Sequence, residues 1–143
     1  MINNQIIRVL SKILFPFLII FALYVQFHGD YGPGGGFQAG VVVAAAFVFY
    51  ALVNGLKELK EIISEKLLEC LVPLGVLIYS GVGVASWILG GNFLDYSTLD
   101  KNDPSHGQHM GVLIIELGVL ITVAATMLLI FYSFSGRGRK GDS

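Results

Sequence analysis

Four long apolar runs dominate this chain, and each is close to the length that a helix needs to cross a lipid bilayer. They cover about Ile7–Phe27, Phe37–Leu56, Leu67–Leu89 and His109–Phe134, and a spanning helix needs roughly 20 mostly apolar residues. Only 13% of the 143 residues are charged, where a soluble domain would carry about 25%. We therefore predict an all-α integral membrane protein with four transmembrane helices.

The four runs and their connections are predicted to form a single membrane domain over residues 1–143, with a polar tail at 135–143. Arg8 and Lys12 lie at the start of the first run, which continues to Phe27 without a small-x-small cleavage pattern. We therefore interpret it as a retained span and not as a signal peptide. Residues 57–66 carry opposite charges at helical spacing, which predicts a short interfacial helix.

The basic residues are concentrated on one side of the predicted membrane. Of the nine, two lie at the start of the first span, three in the second connection and three in the tail. These are Arg8, Lys12, Lys57, Lys60, Lys66, Arg137, Arg139 and Lys140. The last, Lys101, shares the third connection with Asp95, Asp100 and Asp103. Basic residues accumulate in cytoplasmic loops, so we predict cytoplasmic termini in a multi-pass protein of the cell (inner) membrane, with the first and third connections outside.

The first connection has a composition that suits neither a lipid-embedded helix nor a flexible linker. It combines the ionisable residues His28 and Asp30 with a proline and a glycine triplet. Such a segment suits a close backbone crossing at the membrane–water boundary, and in a membrane protein this combination indicates ion handling. His28 and Asp30 are therefore candidates for an ion pathway. The candidate structural motif of the loop comprises Pro33, Gly34, Gly35, Gly36, Phe37 and Gly40.

Glu116 is the one clear charge deep within a predicted span. A carboxylate there costs a few kcal/mol and by default indicates function. The alternative is a protonated side chain that only donates a hydrogen bond between helices. His106 and His109 share a helix face, and Glu116, seven residues after His109, lies near the same line. Because imidazoles titrate near neutral pH, we predict an ion pathway descending past Asp103, His106 and His109 to Glu116; the alternative is a pair of solvated interfacial histidines.

Small residues recur every four positions in three of the spans, which predicts close helix packing within the bundle or against partner helices. The three stripes are Gly36, Gly40 and Ala44, then Gly81 and Ala85, then Gly118, Thr122 and Thr126.

Several classes of function are disfavoured by what the chain does not contain. It has no nucleophile–base arrangement, no cofactor motif and no nucleic-acid-binding signature, so we expect neither an independent enzyme nor a cofactor. Cys70 is the only cysteine, and two neighbouring histidines are too few for a zinc site, so no metal centre is expected. No lysine lies in mid-span, which favours an accessory subunit or a shared pathway over a principal proton pump.

The segment from His28 to Gly40 resembles the hallmark of the B subunit of Mrp-type (Mnh-type) multisubunit Na⁺/H⁺ antiporters. That hallmark is a histidine, a short variable stretch, Pro-Gly-Gly-Gly-Phe and a further glycine in the next helix. Gly111–Val119 resembles the fourth span of the same family, and the resemblance covers about Ile13–Tyr132. It implies a hetero-oligomer with other Mrp-type subunits in the bilayer and the exchange of Na⁺ for H⁺.

Three other interpretations remain open from the sequence. Similar domains occur in membrane-bound hydrogenases and related respiratory complexes, which would make the chain a subunit of a redox complex. A purely structural subunit would seal and position its neighbours without carrying ions. A self-sufficient small channel is the least favoured, because the spans lack a repeated polar face.

Overall fold

The computed structural model describes residues 5–137, and all regular structure in this part of the chain is helical. The helices are α1 (Gln5–His28), α2 (Gly36–Asn54), α3 (Leu56–Ile62), α4 (Glu65–Ile88) and α5 (Pro104–Arg137), with a 3₁₀ helix at Tyr96–Leu99. Four of them, α1, α2, α4 and α5, are long and apolar enough to cross a membrane. The predicted fold class is therefore confirmed.

Local signals explain where the helices begin and end. Gly55, with a φ of 108°, separates α2 from α3. The Ser64 side chain accepts a hydrogen bond from the Leu67 N–H and caps α4, so the charged segment 57–66 is divided between α3 and α4. Helix α5 begins with Pro104, a favoured first residue, and so starts earlier than the predicted span. Residues 138–143 of the predicted tail lie outside the described residues.

Helix α5 is the centre of the bundle, because it packs against both α4 and α2, whereas α1 packs mainly on α2. The hydrophobic core lies where α2, α3, α4 and α5 meet, and it includes Tyr50, Leu59, Leu68, Leu128 and Tyr132. The Tyr132 hydroxyl donates a hydrogen bond to the Ile63 carbonyl at 2.9 Å. This contact ties the last part of α5 to the segment between α3 and α4.

The two ends of the bundle differ in charge. The α3 end comprises α3, the start of α1 and the end of α5, and it holds Arg8 and Lys12 beside Glu58. The loop end comprises the connections 29–35 and 89–103. Asp30 Oδ2 of the first connection lies 3.3 Å from Nδ1 of His109, near the start of α5, which directly follows the other connection. The first and third connections therefore share one end of the bundle, as expected. Which end faces the cytoplasm stays a prediction.

A polar network fastens α1 to α2 and α3 at the α3 end. Glu58 accepts hydrogen bonds from Arg8 and Lys12, both at 3.3 Å. The Asn54 side chain, 3% exposed, donates to Ser11 Oγ at 3.0 Å. Buried polar groups need partners of this kind, so the network fixes how α1 lies against α2.

This network predicts an acid-sensitive contribution to stability. Burial alone would raise the pKa of Glu58, but the hydrogen bonds and charges of Lys12, Arg8 and Tyr50 outweigh it and lower the pKa. A lowered folded-state pKa gives stability that is present above the unfolded value of about 4.3 and is lost as the pH falls further. We expect Glu58→Gln to lower the thermal unfolding midpoint in detergent by a few degrees at pH 7, with the difference shrinking below about pH 4.

The matched control for Glu58→Gln is Glu61→Gln, because Glu61 is an exposed carboxylate on the same helix. It should leave the unfolding midpoint unchanged at both pH values. An equal loss for Glu58→Gln at pH 7 and in acid would contradict the assignment.

The small-residue stripes are used differently on the two helices that flank α5. A Cβ atom placed on Gly40 would lie 2.9 Å from the Leu120 carbonyl oxygen, so the α2 stripe packs on α5. On α4 the close approach is at Gly75, where a Cβ atom would lie 2.5 Å from the Gly118 carbonyl oxygen. A Cβ atom on Gly81 would meet nothing within 4 Å. Among the described residues, Gly81 therefore does not pack against another helix.

Candidate functional site

Glu116 of α5 lies against the connection between α1 and α2. A Cβ atom on Gly29 would lie 2.8 Å from Glu116 Oε1, and one on Gly35 would lie 2.9 Å from the same atom. A Cβ atom on Gly36 would overlap the Glu116 backbone carbonyl. Only glycine leaves room at these three positions, which we call the glycine notch. The glycine motif and Glu116, which the sequence suggests separately, therefore form one site.

The loop reaches this conformation by folding back on the end of α1. The Tyr31 N–H donates to the His28 carbonyl at 3.0 Å, and the Gly35 N–H donates to the Val25 carbonyl at 3.1 Å. Gly35 has a φ of 110°, in the left-handed region that glycine adopts without strain. Helix α2 then starts at Gly36, directly beside Glu116.

The start of α2 gives the Glu116 carboxylate a favourable electrostatic environment. Gly35 is the N-cap of α2, and no side chain caps the helix there. The N-terminal end of a helix carries a partial positive charge. Because Glu116 Oε1 lies at Gly35, its carboxylate is positioned to interact with that charge.

Gln26 is the partner that the sequence analysis missed. Its side chain is 0% exposed, and its Nε2 lies 3.5 Å from Glu116 Oε2. Its Oε1 is buried and has no hydrogen-bond partner among the described residues. A signal was present, since Gln26 is the only amide side chain in the otherwise apolar stretch 13–27.

Asp30, His106 and His109 come together at the loop end. They line a groove of about 460 Å³. His109 pairs with Asp30 at 3.3 Å, whereas His106 pairs with Asp100 at 3.1 Å. The pKa of Asp100 is lowered mainly by hydrogen bonds from the backbone N–H groups of Asn102 and Asp103. A hydrogen bond with the His106 side chain lowers it further. The two histidines are thus held by aspartates from different connections.

Other predicted site residues have structural surroundings of their own. Asp103 accepts hydrogen bonds from the Ser105 and His106 N–H groups and caps α5. The His28 ring stacks on Tyr24, with ring centres 5.3 Å apart. In the hallmark motif, Phe37 is 64% exposed. Pro33 is also exposed, Gly34 lies against the end of α1, and Gly40 packs on α5.

Comparison with known proteins decides the family. A family model described as a domain related to the MnhB subunit of Na⁺/H⁺ antiporters matches residues 6–129. The chain belongs to the MnhB family. The resemblance inferred from the glycine motif and the fourth span is therefore confirmed.

Individual relatives agree with this assignment. Proteins of Staphylococcus haemolyticus (strain JCSC1435) and Staphylococcus aureus (strain Newman) are each 29% identical to this MnhB-family chain over 136 residues. Each match covers 94% of this chain and 96% of the relative. Both relatives are named as a candidate antiporter subunit, mnhB2. With its four membrane-spanning helices, the MnhB-family chain is a multi-pass protein of the cell membrane.

The side chains at this site of the MnhB-family chain are carboxylates, an amide and imidazoles, which are groups that can hold protons or donate and accept hydrogen bonds. Glu116 provides a carboxylate, Gln26 an amide, and Asp30 with His109 a second titratable pair. Within residues 5–137, no three His, Cys, Asp or Glu side chains are close enough together to hold a metal ion. Cys70 is exposed on α4 and lies apart from these groups.

Proposed function

We propose that this chain is a membrane subunit of a multisubunit Na⁺(cation)/proton antiporter and that its loop end contributes to an ion pathway. Membership of the MnhB family and four membrane-spanning helices support the first part. Its partners are the other Mrp-type subunits, the surrounding lipid, and the ions Na⁺ and H⁺. Both termini face the cytoplasm, so the loop end opens to the outside.

The contact of Glu116 with the glycine notch carries the pathway proposal. A carboxylate in a spanning helix is costly unless it faces protein or water. Here Gly29 and Gly35 leave the space for it, and Gln26 donates to it. A chain that needed Glu116 only for packing could fill the same space with apolar side chains at lower cost.

The proposed approach to Glu116 is the groove at the loop end, whose lining reaches Leu113, three residues before Glu116. His109 and Asp30 are paired there, and both side chains are reachable from outside the chain. Asp30 also directly follows Gly29, which lies against the Glu116 carboxylate. A proton taken up by the Asp30–His109 pair therefore changes the electrostatic environment of Glu116. This coupling is what a two-step proton transfer requires.

A purely structural subunit is the second candidate, and the exposure of α1 favours it. Phe17, Ile20 and Phe21 on α1 are all more than half exposed. In the membrane such a face contacts lipid or the helices of neighbouring subunits. Under this candidate, Glu116 would serve only to hold α5 against α2.

Replacing Glu116 separates the two candidates. Glu116→Gln keeps the size of the side chain, so it fits the glycine notch and can still bond to Gln26, but it removes the titratable group. We expect cation/proton antiport in membrane vesicles to fall by at least about tenfold, while the purified complex keeps all its subunits. Antiport is measured as dissipation of a proton gradient on adding Na⁺.

The control for Glu116→Gln is Glu69→Gln, which removes an exposed carboxylate near the start of α4. We expect it to leave antiport unchanged. Normal antiport in the Glu116→Gln complex would contradict an ion pathway through Glu116. The chain would then be a purely structural subunit.

A further inference from the structure

The Gln26 side chain has a feature that a proton pathway through Glu116 does not by itself explain. It is fully buried, yet one of its two polar atoms, Oε1, has no donor among the described residues. The other, Nε2, faces Glu116 Oε2 at 3.5 Å. A buried polar atom without a partner costs free energy, so an apolar side chain would be the cheaper occupant if Gln26 served only to fill space.

Amide chemistry provides a reason to keep glutamine at this position. An amide presents two donors on its nitrogen and an acceptor on its oxygen. A half-turn of the amide exchanges the two atoms without moving the rest of the side chain. The nitrogen can donate to an ionised Glu116, and after the turn the oxygen can accept the O–H of a protonated Glu116. In the orientation seen in the structure Oε1 lacks a partner, so turning the amide breaks no hydrogen bond made by that atom.

We propose that Gln26 is a positioning residue that follows the proton on Glu116, donating to the carboxylate and turning to accept from the acid. The proposal rests on the proposed function, because it requires Glu116 to gain and lose a proton during transport. Glutamine serves both states without changing its own charge. It thereby keeps the Glu116 side chain in the glycine notch in both protonation states.

The charged groups around Glu116 are few, which makes the role of Gln26 measurable. Helix α2 contains no charged residue, and the charged residues of α4 lie at its start, at the α3 end. The glycine loop contributes Asp30, which pairs with His109 of α5 itself. From α1, Arg8 and Lys12 lie at the far end beside Glu58, and His28, at the near end, stacks its ring on Tyr24. Substituting Gln26 leaves all of these groups in place.

The test is Gln26→Met in the complete antiporter complex, since methionine has a similar length but no hydrogen-bonding amide. Methionine removes the hydrogen bond from both protonation states of Glu116, but the bond to the charged carboxylate is the stronger one, so the pH of half-maximal antiport should rise by about one unit. Infrared difference spectra, assigned with Glu116→Gln, should show the band of the protonated carboxyl group at higher frequency because its acceptor is lost.

A second variant keeps the test decisive if Gln26→Met does not assemble. Gln26→Glu is close in shape and polar, but two adjacent carboxylates resist ionising together, so the pH profile should move further in the same direction. The control is Ser86→Ala, which removes another fully buried polar group, one bonded to Val82 within α4; it should not move the profile.

The outcomes separate this inference from the proposed function. Wild-type pH profiles and carboxyl bands in both Gln26 variants overturn the role of Gln26, even if Glu116→Gln abolishes antiport. Normal antiport in Glu116→Gln overturns the proposed function, and the inference with it.

Discussion

Gly36→Ala is expected to separate α2 from α5 and to prevent assembly of the complex. The added methyl group would lie 2.7 Å from the backbone carbonyl carbon of Glu116 and would overlap its oxygen. Backbone atoms of a helix cannot rotate away as a side chain can, so one helix must shift. We expect the free energy of unfolding to fall by about 3 kcal/mol, although alanine is otherwise the better helix former.

The measurements for Gly36→Ala are thermal unfolding in mild detergent and the yield of partner subunits that co-purify. Gly81→Ala is the matched control, because Gly81 also lies in a spanning helix but a Cβ atom there would meet nothing within 4 Å. It should leave the contact between α2 and α5 unchanged and raise the stability of the isolated chain by up to about 1 kcal/mol. Equal behaviour of the two variants would show that the glycine notch does not hold the helices together.

Gly75→Ala should have a comparable effect at the crossing of α4 and α5. Its methyl group would lie 2.5 Å from the Gly118 carbonyl oxygen and would overlap the Thr122 hydroxyl. That hydroxyl donates to the Val72 carbonyl at 3.3 Å, so the substitution disturbs a hydrogen bond between the helices as well as their packing. We expect a loss of about 2–3 kcal/mol in unfolding free energy.

A double substitution tests whether the Gly75 effect is steric. Thr122→Ala removes the hydroxyl that the added methyl group would overlap, which gives the crossing more room. Combined with Gly75→Ala, it should recover part of the unfolding midpoint. Full stability in Gly75→Ala alone would mean that α4 and α5 cross elsewhere in the bilayer.

The fold was predictable because run length and charge are properties of single segments. The apolar runs located α1, α2, α4 and α5. Glu116 was found because a charge within a span is conspicuous. The distribution of basic residues predicted that the first and third connections share one end of the bundle. The pairing of Asp30 with His109, near the start of α5, confirms this. The helical rotation that selects Gly75 over Gly81 was not predictable, since both are small residues in the same apolar helix.

The internal geometry of the site could not be predicted from the sequence either, because it depends on contacts between segments that are far apart in the chain. The meaning of Gly29, Gly35 and Gly36 depends on what α5 places against them. Gln26 became notable only when its amide proved to be buried beside Glu116. Spacing alone aligned His106 with His109, but Asp100 and Asp30, from separate connections, determine where each imidazole lies.

The contact between the glycine notch and Glu116 also has a consequence for biosynthesis. Gln26 and Glu116 are 90 positions apart, so the hairpin of α1 and α2 leaves the ribosome long before α5 does. Until then the notch is an unfilled gap between two helices. Only insertion of α5 closes it, so this part of the bundle reaches its final packing after the last span has entered the membrane.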